Sequence, residues 1–181
     1  NQENILSETE KYQILRGVIN KERMEIFDEE DFIQDIVAEI GKVKNNRIPL
    51  EEFVSEKCSA DAFRNIYRNY ERHRKELKKI DFDDMLVLCY ELFRSRPDVL
   101  AQWQKKFRYV LIDEFQDINR IQYDVIRMLA QPENNLFVVG DDDQAIYGFR
   151  GADSELMLGF GKDFPDAKQI LLGMNYRSTA N

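Results

Sequence analysis

Apolar residues recur at three- and four-residue intervals through the first half of the chain and gather into short unbroken runs in the second. The first pattern predicts amphipathic helices, the second buried strands. Ser7 and Glu10 have the spacing of a capping box, and Tyr12, Ile14, Leu15, Val18 and Ile19 continue it as a helical stripe. Asp31 to Lys44 repeats the pattern with Phe32, Ile36, Ile40 and Val43; Asn45-Asn46 breaks it, and Pro49 starts a short segment. A third helix is expected from about Asp61, with Phe63, Ile66, Tyr67, Tyr70 and Leu77 inward and its basic residues outward. Asp81 opens a fourth, carrying Phe82, Met85, Leu86, Leu88, Cys89 and Leu92, with Pro97 after its end.

The periodicity changes near residue 107. Residues 107–112, 136–140 and 168–172 are short β-rich runs with little polar alternation, the pattern of strands covered on both faces of a parallel sheet. Between the first two lies a helical stripe of Ile118, Ile121, Val125, Ile126 and Leu129, so strand, helix and strand form a βαβ unit. The expected class is α/β, a parallel sheet with flanking helices preceded by an all-helical subdomain. The join falls near residues 75–85, dividing the chain into 1–78 and 79–181. Trp103, Phe107, Tyr109 and Phe115 read as packing residues.

Composition narrows the function. With 181 residues, 43% of them hydrophobic and 12 Phe, the chain can bury a real core. No apolar run approaches the roughly 18 residues of a membrane helix, and the first residues have no basic-then-apolar leader pattern. One histidine, His73, and two distant cysteines, Cys58 and Cys89, exclude the usual zinc frameworks and a disulfide scaffold. A cytoplasmic protein with reduced thiols is the expectation. The net charge of -8 argues against a nucleic-acid partner when taken as a sum. Its distribution reverses that impression. Arg64, Arg68, Arg72, Arg74, Lys75, Lys78 and Lys79 make one basic segment, readable as a solvated face or a phosphate contact. The carboxylates of the second half cluster as Asp113-Glu114 with Asp117, and as Asp141-Asp142-Asp143.

Both clusters follow a strand run, where open α/β sheets collect ligands. A first carboxylate there can hold a hydrated Mg²⁺ against nucleotide phosphates while a second orients or deprotonates a water. A merely solvated acidic loop is the alternative, and two such ends, each with a glutamine (Gln116, Gln144), weigh against it.

The run from Val110 through Asp113-Glu114-Phe115-Gln116-Asp117 to Asn119 resembles the Walker B motif of the UvrD/PcrA/Rep-like superfamily 1 DNA helicases. Residues 139–152 resemble their motif III, 172–178 their motif IV, and Asp81-Phe82-Asp83-Asp84-Met85-Leu86 an element upstream of Walker B. These similarities cover residues 81–178, and the first eighty match the family's helical 1B insertion more loosely. The resemblance implies part of a RecA-like lobe in an ATP-dependent helicase that moves 3′ to 5′ on single-stranded DNA or at a single-strand/double-strand junction. It assigns Mg²⁺ coordination to Asp113, water activation to Glu114, and γ-phosphate sensing to Gln144. Tyr176 would stack on the adenine of ATP and Arg177 would act as an arginine finger. Tyr147 and Phe149 would lie along the DNA strand, with Arg150 at a backbone phosphate; packing is the competing role for the two aromatics. The family often has Trp where Phe149 stands, and Phe stacks with less area. No Gly-x-x-x-x-Gly-Lys-Thr loop occurs here, and motifs V and VI are absent. The expectation is therefore a piece that needs the rest of the helicase and is inactive alone. Two other readings are a non-enzymatic module docking DNA or protein, and a Mg²⁺-dependent nuclease or phosphotransferase. The latter leaves Gln144, Phe149, Tyr176 and Arg177 without a role.

Overall fold

The computed structural model describes residues 4–22, 24, 26–141 and 155–173. Among the described residues seven α-helices and two strands follow in order: α1 (Glu8–Ile19), α2 (Glu29–Asn45), α3 (Ala60–Glu76), α4 (Phe82–Ser95), α5 (Pro97–Lys106), β1 (Val110–Ile112), α6 (Arg120–Ala130), β2 (Leu136–Val138) and α7 (Glu155–Asp163). The helix starts follow capping chemistry. Ser7–Glu10, Asp81–Asp84 and Asn119–Gln122 each form reciprocal capping boxes, and Asp28 and Ser59 cap α2 and α3.

Two hydrophobic clusters result. Leu15, Ile19, Ile33, Ile36, Ile40, Phe63, Ile66 and Tyr70 close the core among α1, α2 and α3. Phe115, Ile118, Tyr123 and Leu156 form a second beneath the strands, edged by Ile112, Val138 and Phe160. The N-terminal residues pair with the segment entering α4, Leu6 N–H donating to Ile80 O at 2.8 Å and Ile80 N–H to Asn4 O at 2.9 Å.

A buried ionic centre lies where α2, α3 and the start of α4 meet. Lys44 Nζ stands 2.8 Å from Glu71 and 2.9 Å from both Asp81 and Asp84. Tyr70 hydroxyl donates to Asp81 at 2.8 Å, Arg74 pairs with Asp84 at 2.9 Å, and Lys11 reaches Asp83 at 3.6 Å. Burial alone would raise the Asp81 carboxyl; the field and hydrogen bond of Lys44, helped by Lys11, overcome it and hold Asp81 well below the usual range. Glu71 is likewise lowered, burial being outweighed by Arg74 and Lys44.

β1 and β2 run parallel, with Val110, Leu111 and Ile112 opposite Leu136, Phe137 and Val138. The expected third strand at 168–172 has no regular structure, and Ile170, Leu171 and Leu172 are exposed. A strand exists through ladder bonds to a neighbour, and no described strand lies beside this run. Coverage of both sheet faces also fails: Leu111 and Phe137 are 69% and 57% exposed, because α6 and α7 pack on the opposite face only. Phe107, Tyr109 and Leu77, expected to face inward, are also exposed, as are Phe82, Leu88 and Leu92 of the α4 stripe, and Trp103, read as packing, stacks on Phe107 at the surface. Pro97 opens α5 rather than simply ending α4, since proline is suited to the first helical turn.

Removing Lys44 leaves buried carboxylates without their cation. Lys44→Met should cost about 3–5 kcal/mol in urea unfolding, whereas Lys57→Met, at an exposed pair with Asp35, should be nearly silent. Because Asp81 and Glu71 titrate lower folded than unfolded, their contribution is complete above the ordinary carboxylate range and declines as pH falls below about 4. Acid should therefore destabilise wild type more steeply than a Lys44→Met/Asp81→Asn variant, in which Asp84, raised by burial and so opposite in sign, is kept.

Candidate active site at the strand ends

The carboxyl ends of β1 and β2 are joined by main-chain bonds beyond the strands. Val139 N–H donates to Ile112 O at 2.9 Å, and Phe115 N–H to Val139 O at 2.8 Å. The chain leaving β1 thus folds back against the chain leaving β2 within three residues. That reversal puts Glu114 in the left-handed region, at φ 51° and ψ 46°. A 3-10 turn, Phe115–Asp117, follows and leads into α6. Phe115 anchors it: the ring is 1% exposed and meets Tyr123 and Phe160 edge-on at 5.8 and 5.4 Å. Tyr123 is pinned in turn by its hydroxyl, which donates to Asp163 at 2.7 Å.

Above this base Asp113 and Glu114 are exposed. Glu114 N–H donates to Asp113 Oδ1 at 3.0 Å, and Glu114 Oε2 accepts from Gln116 Nε2 at 2.7 Å. Neither carboxylate has a Lys or Arg within ion-pair distance among the described residues. Asp117, the third acid of the turn, has one buried oxygen without a hydrogen-bond partner among the described residues.

No group of three or more His, Cys, Asp and Glu converges as a metal cage among the described residues. Magnesium needs none, because it keeps several waters and commonly takes one or two carboxylates plus substrate phosphates. Asp113, exposed at a strand end with no cation of the described residues paired to it, fits that kind of ligand.

Of the residues assigned from sequence, Asp113 and Glu114 stand together at this edge, and the chain leaving β2 delivers Asp141 beside them. Gln144, Tyr147, Phe149, Arg150, Tyr176 and Arg177 lie outside the described residues. The basic segment is largely neutralised from within. Arg64 and Arg68 pair with Glu51, Arg72 with Glu76, Arg74 with Glu71 and Asp84, and Lys79 with Glu10. Sequence reasoning gave no role to Gln116, which is 2% exposed between the two strand ends. Its signal was a polar residue directly after an apolar one in a turn that must pack. Gly140 had none, although a Cβ there would stand 2.8 Å from Gln116 Oε1.

The left-handed backbone at Glu114 disfavours most side chains. Glu114→Asn should leave stability unchanged or raise it by up to about 1 kcal/mol, since Asn tolerates this conformation, while Glu114→Val should lower it by about 1–2 kcal/mol. Equilibrium urea denaturation of the two variants measures the difference.

Comparison with known proteins gives a consistent picture. The profile of the UvrD/REP helicase N-terminal domain matches residues 1–165. YjcD of Bacillus subtilis is 45% identical over 173 residues, 95% of this chain and 22% of that protein. The ATP-dependent DNA helicase PcrA of Leuconostoc citreum is 42% identical over 81% of the chain and 20% of its own length; that of Bacillus subtilis is 37% identical over 97% and 24%. The chain therefore spans less than a quarter of the length of these relatives.

Proposed function

The chain belongs to the UvrD/REP helicase N-terminal domain family, and from that premise we propose that it is part of an ATP-dependent DNA helicase coupling Mg-ATP hydrolysis to 3′-to-5′ movement on single-stranded DNA. The observation that carries the reading is the pair Asp113-Glu114, held exposed in a strained turn at the carboxyl end of a parallel strand. ATP dependence and DNA are the descriptors carried by the PcrA relatives. In this reading Asp113 ligates Mg²⁺ bound to the nucleotide phosphates, and the metal supplies charge neutralisation there. Glu114 accepts a proton from the attacking water. Gln144 senses the γ-phosphate, Tyr176 stacks on the adenine and Arg177 stabilises charge on the transferred group. Tyr147 and Phe149 stack on DNA bases while Arg150 meets a phosphate.

The separate cores support a division into a 1B-like insertion, residues 1–78, and part of a RecA-like lobe, residues 79–181. The phosphate-binding loop and a second lobe belong to the remainder of the protein, and the piece alone does not hydrolyse ATP. No described helix is long and apolar enough to cross a membrane; the cytoplasmic location belongs to the proposed work on DNA. Internal neutralisation of the basic helix weighs against a simple docking module.

In the full-length protein, Glu114→Gln should abolish hydrolysis and leave ATP binding nearly intact, whereas Asp113→Ala should weaken Mg-ATP binding as well. Steady-state ATPase and nucleotide-binding titrations decide it, and wild-type turnover by Glu114→Gln would sink the assignment. Phe149→Ala should weaken single-strand binding by about 1–3 kcal/mol with little dependence on sequence or salt. Arg150→Ala should instead flatten the salt dependence. Fluorescence anisotropy over a salt series separates the two.

A further inference from the structure

Gln116 uses both halves of its carboxamide. Nε2 donates to Glu114 Oε2 at 2.7 Å, and Oε1 accepts from the Asp141 backbone N–H at 3.0 Å. These partners fix which end is nitrogen, because an ionised carboxylate only accepts and a peptide N–H only donates. Among side chains of this length, glutamine alone satisfies both. Ionised glutamate cannot donate to Glu114, and lysine cannot accept from Asp141.

The opposite strand end is shaped to the same amide. A Cβ at Gly140 would stand 2.8 Å from Gln116 Oε1, and 3.3 Å from both Gln116 N and Met157 Sδ. Residue 140 lacks a side chain where the amide passes. Glu114, by contrast, has little else to hold it. Among the described residues its remaining hydrogen bonds are made by its backbone, the N–H donating to Asp113 and the carbonyl accepting from Asp117 N–H at 2.9 Å, and neither restrains the side-chain torsions. An exposed glutamate with free torsions is a poor general base, since misplacement by about 1 Å can cost on the order of 100-fold in rate.

We infer that Gln116 is the positioning residue for Glu114, fixing the orientation of its carboxylate from the Gly140–Asp141 end of the second strand. The inference rests on the reading of Glu114 as the water-activating group. Gln116 touches no substrate in this scheme; it acts through the carboxylate it holds, and the bond to Asp141 keeps the amide itself from turning.

The test is steady-state ATPase of the full-length protein with saturating single-stranded DNA, with urea denaturation of each variant. Gln116→Glu keeps the shape and the acceptor for Asp141 but removes the donor to Glu114. Gln116→Met keeps the volume and removes both bonds. Each should lower kcat by about 10- to 100-fold, with KM for ATP within about twofold because the phosphate contacts remain. Gly140→Ala should also lower kcat, by displacing the amide, and should cause a much smaller further loss in a Gln116→Ala background, where the 2.8 Å collision is gone and only the 3.3 Å contacts remain. Wild-type kcat in folded Gln116→Glu and Gln116→Met would overturn the inference, and so would additive losses from Gly140→Ala and Gln116→Ala. That last pair decides the matter if the position-116 isosteres fail to fold. Glu114→Gln run in parallel separates the two levels. If it is inactive while the Gln116 variants behave as wild type, only the positioning role falls; if it turns over normally, the role of Glu114 and the inference fall together.

Discussion

A lysine ammonium withdrawn from water must be met by anions, and Lys44 draws three of them from α3 and the start of α4. The demand is directional in a way that apolar packing is not. Asp81 caps α4 and bonds Lys44 and Tyr70 with the same carboxylate, so the helix can begin only where that cation sits. Through α4 the constraint passes to α6, which packs on it, and α6 in turn sits beneath β1. Arg47, just past α2, adds a second tie to Asp124 of α6 at 2.6 Å. The helical half thereby sets the height and angle of the strand that ends in Asp113.

At the strand end the governing term becomes local. Phe115 is buried so completely that its backbone must turn sharply, and Glu114 absorbs the strain of the reversal. The acidic pair is exposed because the aromatic beside it is not. One residue directed into the core and its predecessor directed out of it is a simple device for presenting a carboxylate on a rigid support.

Much of this could be read from residue order. The capping box at Ser7 and the opening at Asp81 mark real helix starts, and the apolar runs 107–112 and 136–140 contain real strands, whereas the box at Asn119 shows only in the structure. Asp113 and Glu114 follow from their place after such a run. What escaped depends on three-dimensional partners. Ile170, Leu171 and Leu172 have strand composition, but a ladder needs a neighbour. Leu111 and Phe137 look like core because period and composition do not reveal whether a second layer covers the sheet. Lys44 reads as an ordinary polar position of α2, and only its approach to residues 37 and 40 positions away makes it a buried centre. Gln116 and Gly140 acquire meaning only from each other.

The pairing of α3 has a consequence for how that face would meet a polyanion. Glu51, Asp61 and Glu76 act as built-in counterions for Arg64, Arg68 and Arg72. Association with nucleic acid is ordinarily driven by the release of small cations condensed along the phosphates, as protein charges take their place. Here an arginine that turned to a phosphate would first abandon a carboxylate, and that stranded anion would repel the same polymer or recruit a cation of its own. The entropy gained at one end would be surrendered at the other, leaving α3 closer to a neutral wall than to a basic rail.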